Sequence, residues 1–192
     1  MHTTLEQDKA KLLDILKKEA FFRGKFVLSS GKESSFYLDA RLVTLSAGGA
    51  YLTGRIMLEM IKNDHIDAVG GPTLGADPMV GAIASLSYQA CLSGRQAGRP
   101  VPTFIIRKAP KAHGKRQQIE GPELKADARV VIIDDVATTG KALIESVEVL
   151  AKIGIKPVKA ICLIDRGEGA REALARHHVP MESIFTIDQF TS

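Results

Sequence analysis

The segment VVIIDDVATTGKAL (130–143) decides the architecture. Four apolar residues run into two adjacent carboxylates, Asp134 and Asp135, then into a small-residue loop, then into a helical pattern. A strand too apolar to have a wet face belongs inside a parallel sheet covered on both sides. Open parallel sheets bind ligands at the carboxyl ends of their strands, and the two acids lie at such an end. The loop Ala137-Thr138-Thr139-Gly140 offers backbone N–H groups and two hydroxyls at a helix N-terminus, which suits a phosphate. It is not a Walker A loop, because the G-x-x-x-x-G-K-[ST] order is absent and the acids precede the turn. The competing reading, Asp135 as a plain turn cap, does not explain the TTG turn and the immediate helix.

Outward from this segment the pattern alternates. HIDAVGG (65–71) reads as a short strand ending in glycines. Asp77-Pro78 reads as a helix start, Asp as N-cap and Pro in the first turn, for a helix to about Cys91. SGRQAGRP is a loop and VPTFIIR the next strand. ARVVIID (128–134) is a strand, and TGKALIESVEVLAKIG a helix closed by Gly154. VKAICLID is a strand, GAREALARHH a helix and SIFTI a last short strand. The expected fold is therefore α/β, Rossmann-like, a central parallel sheet flanked by helices; a flavodoxin-like domain would show the same alternation. Upstream, residues 5–20 read as an amphipathic helix, FVLSSGKESSFYLDAR (26–41) as strand pieces around a Ser-Gly turn, and 47–62 as a helix. The first forty or so residues do not fit the alternation and are expected to form an appended cap.

The chain has 192 residues, enough for one sizeable domain. Hydrophobic residues at 45% and charged residues at 25% are an ordinary globular balance. No apolar run approaches bilayer length, and the N-terminus lacks an apolar export region, so no membrane partner and a cytoplasmic location are expected. Cys91 and Cys162 sit in apolar segments and read as thiols rather than a disulfide. Part of the net charge of +4 lies in RKAPKAHGKR (107–116), which contains no acid. No interleaved aromatics or nucleic-acid motif accompany it, so a small, highly charged phosphate ligand is expected in place of a nucleic acid.

Segment 130–143 resembles the phosphoribosyl-diphosphate signature of type I phosphoribosyltransferases: apolar strand, two acids, T-T-G turn. The resemblance implies that Asp134 and Asp135 bind the ribose hydroxyls. It implies that Val136, Ala137, Thr138, Thr139, Gly140, Lys141 and Ala142 wrap the 5′-phosphate. Two further segments resemble the orotate phosphoribosyltransferases. FVLSSGKESSFYLDAR looks like that family's N-terminal hood (about 1–41). Arg107, Lys108, Lys111, His113 and Gly114 match its RK-x-x-K-x-HG loop, followed by IEG at 119–121. Arg166, in CLIDR, matches the family's orotate-contacting arginine. Thr138 and Tyr37 are further orotate candidates; Tyr37 and Leu38 stand where some members have paired aromatics. Many members have lysine where Ser29 stands and in the segment aligned with Gly75; both are missing here, and what replaces their diphosphate contacts is open.

Residues 108–121 carry Pro110, Gly114 and Gly121 with many charges and no periodicity, which reads as a lid. The whole of 1–192 is read as one domain. By resemblance the activity would be transfer of ribose-5-phosphate from phosphoribosyl diphosphate to N1 of orotate, giving orotidine 5′-monophosphate and diphosphate. Lys111, His113 and Asp135 would be catalytic. Mg²⁺ would be held through substrate and water, with no direct protein ligand. A homodimer sharing the lid between subunits is implied in the same way. An adenine-type transferase and a regulatory protein that senses phosphoribosyl diphosphate are the rival functions; Arg166 with the 107–114 loop favours an acidic base and a catalytic lid.

Overall fold

In the computed structural model, which describes residues 4–27, 33–94, 99–109 and 118–191, the strand β6 (Val130–Ala137) sits at the centre of a six-stranded sheet. Val130 to Ile133 have no solvent exposure at all, and their side chains alternate between two cores. Val131 and Ile133 join a cluster containing Leu12, Leu16, Ile56, Met57 and Ile83. Val130 and Ile132 join another with Leu143, Leu150 and Leu174. Both faces of the sheet are therefore dry, which is why the segment contains no polar residue until Asp134.

The sheet order is β5-β4-β3-β6-β7-β8. Here β3 is Ala68–Pro72, β4 Thr103–Ile106, β5 Ile119–Glu120, β7 Lys159–Asp165 and β8 Met181–Thr186. Five strands are parallel, and β5 pairs antiparallel with β4 at the edge. The expected all-parallel sheet is thus mixed, and two residues of the segment read as structureless form that edge. Helices α3 (Ala47–Ile61) and α4 (Asp77–Leu92) cover one face, α5 (Lys141–Ala151) and α6 (Ala170–Arg176) the other.

The first forty residues divide. Helix α1 (Leu5–Glu19) buries Leu12 and Leu16 in the main core, so it is not an appendage. Only the antiparallel hairpin of β1 (Phe21–Val27) and β2 (Glu33–Leu38) forms a separate two-stranded sheet. Two short helices, α2 (Arg41–Thr44) and α7 (Asp188–Thr191), were not expected; four residues are too few to show a helical period. Asp77 is not an N-cap. It is the first residue of α4, Ala76 precedes it without a side-chain cap, and Pro78 sits in the first turn. Strand β6 also runs further than expected: its pairing with β7 continues through Asp134, Val136 and Ala137. The carboxylates therefore belong to the strand itself and share its rigidity. None of the helices is long and apolar enough to cross a membrane among the described residues.

Candidate active site

The end of β6 carries two carboxylates, Asp134 buried and Asp135 partly buried. Asp134 is 7% exposed. Its Oδ1 accepts the Asp135 N–H at 3.0 Å, and Asp135 Oδ1 accepts the Val136 N–H at 2.8 Å. Burial pushes the Asp134 carboxyl well above the usual carboxylate range, and the charge of Asp135 adds to the effect; Lys108, beyond the end of β4, acts against it. Burial raises Asp135 as well, opposed by the Val136 N–H, by Asp134 and by Arg41. The wall facing the pair is the turn between β3 and α4. There a Cβ on Gly75 would stand 2.4 Å from Asp135 Oδ1 and 2.5 Å from Asp134 Oδ1. The glycine lets this turn pack directly against the acid pair; a larger residue here would require the two carboxylates to shift.

Beyond Ala137, Thr138 and Thr139 lead to Gly140, whose φ of +78° starts α5 in the left-handed region. A Cβ at Gly140 would meet the Ala170 backbone at 3.2 Å, so glycine is required by both conformation and space. No side chain caps α5, and its first N–H groups are left to a ligand. A cavity of about 210 Å³ lies over this loop, lined by Asp134, Val136, Ala137, Thr138, Thr139, Gly140, Lys141 and Ala142. The structure thus gathers the expected phosphate-binding residues around one hollow of suitable size.

Arg166 follows β7 and is tied to the same rim by its N–H, which donates to Ala137 O at 2.9 Å. Its guanidinium lies over the Phe36 ring, 5.1 Å from the centroid. Glu168 Oε1 approaches Nε at 2.9 Å, an ion pair by distance. The alignment is not that of a hydrogen bond, and the buried Nε is left without one. Asp165 fixes the turn: Oδ1 accepts the Gly167 N–H at 2.9 Å and Oδ2 the Arg171 Nε–H at 2.7 Å.

Tyr37 is not brought to Arg166. It stacks with Phe22 and Phe26 on the other side of the hairpin, while Phe36 faces the guanidinium. Successive residues of a strand point to opposite faces, so choosing one of the pair required knowing which face was inward. Arg107 and Lys108 stand exposed beyond β4; Arg107 pairs with Glu120 at 3.5 Å and its N–H donates to Gln118 O at 2.8 Å. Ser29, Lys111, His113 and Gly114 lie outside the described residues. Phe36, Asp165, Arg171 and Arg41 are site neighbours that the sequence did not single out.

Residues 47–185 match the family profile of the phosphoribosyl transferase domain. A curated orotate phosphoribosyltransferase of Synechocystis is 41% identical over 95% of this chain and 88% of its own length. One from Aquifex aeolicus is 36% identical over 95% and 97%. The chain belongs to the orotate phosphoribosyltransferase family. Its fold superposes on the Mycobacterium tuberculosis member with a TM-score of 0.81 at 32% identity, covering 96% of this chain and 99% of the other. With the Aeropyrum pernix member the TM-score is 0.76 at 37% identity, covering 93% and 95%. An adenine phosphoribosyltransferase of Leishmania donovani reaches 0.67 at 15% identity, which shows a shared fold alone.

The acid pair gives a pH prediction for this family member. A carboxyl raised by folding binds its proton more tightly in the native state than in the unfolded chain. Stability therefore falls as pH rises from the ordinary aspartate value, 3.8, through the raised one. Asp134→Asn removes that burden. At pH 8 the variant should unfold at a higher temperature than the wild type, by about 2–4 °C, and the gap should close as pH is lowered. Calorimetric scans at pH 5 and pH 8 check this; a variant less stable at pH 8 would show that the ionised carboxylate is well accommodated.

Proposed function

We propose that the protein transfers ribose-5-phosphate from 5-phosphoribosyl 1-diphosphate to N1 of orotate, yielding orotidine 5′-monophosphate and diphosphate. The observation that carries this reading is the pairing on one rim of the Asp134–Thr138 site with the guanidinium of Arg166, whose side chain is 12% exposed and ion-paired with Glu168. The first suits a sugar with a 5′-phosphate, the second a base that bears a carboxylate. A Mycobacterium tuberculosis relative, 30% identical with a TM-score of 0.77, was solved with 5-phospho-α-D-ribosyl 1-diphosphate bound, which supports the donor.

In the reaction the C1–O bond to diphosphate breaks, the leaving group takes the electron pair, and the ribose ring becomes oxocarbenium-like. Orotate N1 then bonds to C1 and its proton is lost. Asp134 and Asp135 accept hydrogen bonds from the ribose hydroxyls and place negative charge beside the cationic ring. Val136 through Ala142 hold the 5′-phosphate with backbone N–H groups and the Thr138 and Thr139 hydroxyls. Arg166, with Thr138, orients the orotate carboxylate, and Phe36 flanks it. Arg107 and Lys108, together with Lys111 and His113 from the sequence alone, stabilise charge on the departing diphosphate.

The donor set near the site is two carboxylates, and the described residues contain no group of three or more His, Cys, Asp or Glu side chains placed to hold a metal. Asp134 and Asp135 offer hard oxygen donors that would sit beside a Mg²⁺ brought in with the substrate. Such a cation would supply positive charge against the diphosphate.

Arg166→Lys keeps the charge and loses the fork. It should raise the KM for orotate by roughly 10- to 100-fold and leave phosphoribosyl diphosphate affinity nearly unchanged; steady-state kinetics with each substrate varied separately will tell. An unaltered orotate KM would remove Arg166 from the base site.

The proposal includes a homodimer in which the loop of Lys111 serves the neighbouring site. Lys111→Ala and Asp135→Asn proteins, each nearly inactive, should then recover activity when mixed, because a hybrid carries both lesions in one site and none in the other. Subunit exchange without recovery rules out the shared site.

A further inference from the structure

Two positions where lysine is expected by resemblance carry no charge here, since they are Ser29 and Gly75. The charge must come from elsewhere, and the β3–α4 turn shows where. Leu74, next to Gly75, lines an open cleft of about 830 Å³ together with Asp39, Arg41, Ser46 and Asp77. Gly75, the next residue, abuts the carboxylates of Asp134 and Asp135. Arg41 and Asp135 feel one another, each favouring the charged form of the other.

Arg41 is the one cation among the described residues that line the cleft. It is held in a fixed plane. Its Nε–H donates to Asp39 Oδ1 at 2.9 Å, its Nη2–H to Asp39 Oδ2 at 3.0 Å, and its backbone N–H to Oδ1 at 3.1 Å. Asp39 is in turn anchored through its own N–H to Ala20 O at 3.0 Å. A guanidinium has five N–H donors. Two are used by Asp39, and the guanidinium forms no other hydrogen bond among the described residues. The side chain remains 45% exposed. The clamp leaves a free, oriented edge of the guanidinium, and little rotamer entropy remains to be lost when it meets a ligand. Asp77, whose buried Oδ1 has no hydrogen-bond partner, lines the same cleft.

We infer that Arg41 is a binding residue for the diphosphate group of phosphoribosyl diphosphate, supplying the charge that Ser29 and Gly75 cannot. The inference rests on the phosphoribosyl-transfer reading above. Arg41 donates its free edge to phosphate oxygens while Asp39 keeps it aimed, and the two function as one preformed unit.

Isothermal titration of the full chain separates the two ideas. The probes are phosphoribosyl diphosphate and inorganic diphosphate, each with Mg²⁺, and orotidine 5′-monophosphate, which has the sugar phosphate but no diphosphate. Arg41→Gln keeps a hydrogen-bonding partner for Asp39 and so preserves the hairpin exit. It should weaken both diphosphate ligands by roughly 10- to 100-fold and leave the monophosphate unchanged. Arg41→Lys should restore part of the loss, since charge returns without the fork. Wild-type affinity of Arg41→Gln for both diphosphate ligands overturns the inference. So does a parallel loss of monophosphate binding, which would mean that Arg41 only maintains the fold. A wild type that binds neither phosphoribosyl diphosphate nor the monophosphate would overturn the transfer reading itself.

Discussion

Burying two adjacent carboxylates at the end of the central strand is the constraint around which the molecule is arranged. An ionised carboxylate in a dry sheet is costly unless hydrogen bonds or charges answer it. The answers come from every side: the N–H groups of Asp135 and Val136 along the strand, Lys108 from beyond β4, Arg41 from the hairpin exit. The turn opposite can approach only because residue 75 is glycine. Even so, burial keeps the pair above the usual carboxylate range. A ligand that brings hydroxyl groups adds donors to these oxygens.

The second feature of the rim is its separation of charge. Strand β6 presents carboxylates, and its neighbour β7 presents Arg166, locked to β6 through the Ala137 carbonyl. Parallel strands put both at the same edge without any loop having to fold precisely over the other. A molecule with a polyhydroxylated sugar at one end and a carboxylate at the other matches this order of groups. Adenine has no carboxylate to offer Arg166, and the likeness to the adenine phosphoribosyltransferase extends to the fold alone.

Much of this was legible because strand burial and chemistry leave different marks. Val130 to Ile133 read as a strand dry on both faces, and the abrupt change to Asp134-Asp135 marked the site. Lys111 and His113 were assigned from family motif alone and lie outside the described residues, so their part in the site rests on sequence. Where the reading missed, a tertiary fact was required. Tyr37 is an orotate candidate by resemblance, but a two-residue alternation does not state which face is inward, and it is Phe36 that meets Arg166. Asp77-Pro78 has the composition of a helix start, yet the chain enters α4 one residue earlier and leaves the carboxylate facing the cleft. The edge strand β5 has only two residues, too short to show alternation. Nothing in the sequence singles out Arg41; its proximity to Asp135 depends on where the hairpin exit packs.

The most direct test of the account is orotate-dependent release of diphosphate from phosphoribosyl diphosphate in the presence of Mg²⁺, set against uracil, adenine and hypoxanthine under the same conditions. The account predicts turnover with orotate and, for uracil, which lacks only the carboxylate, a kcat/KM lower by on the order of 10³-fold or more. Equal or faster turnover with uracil or adenine would contradict it, because the carboxylate–Arg166 contact would then have no part in choosing the base.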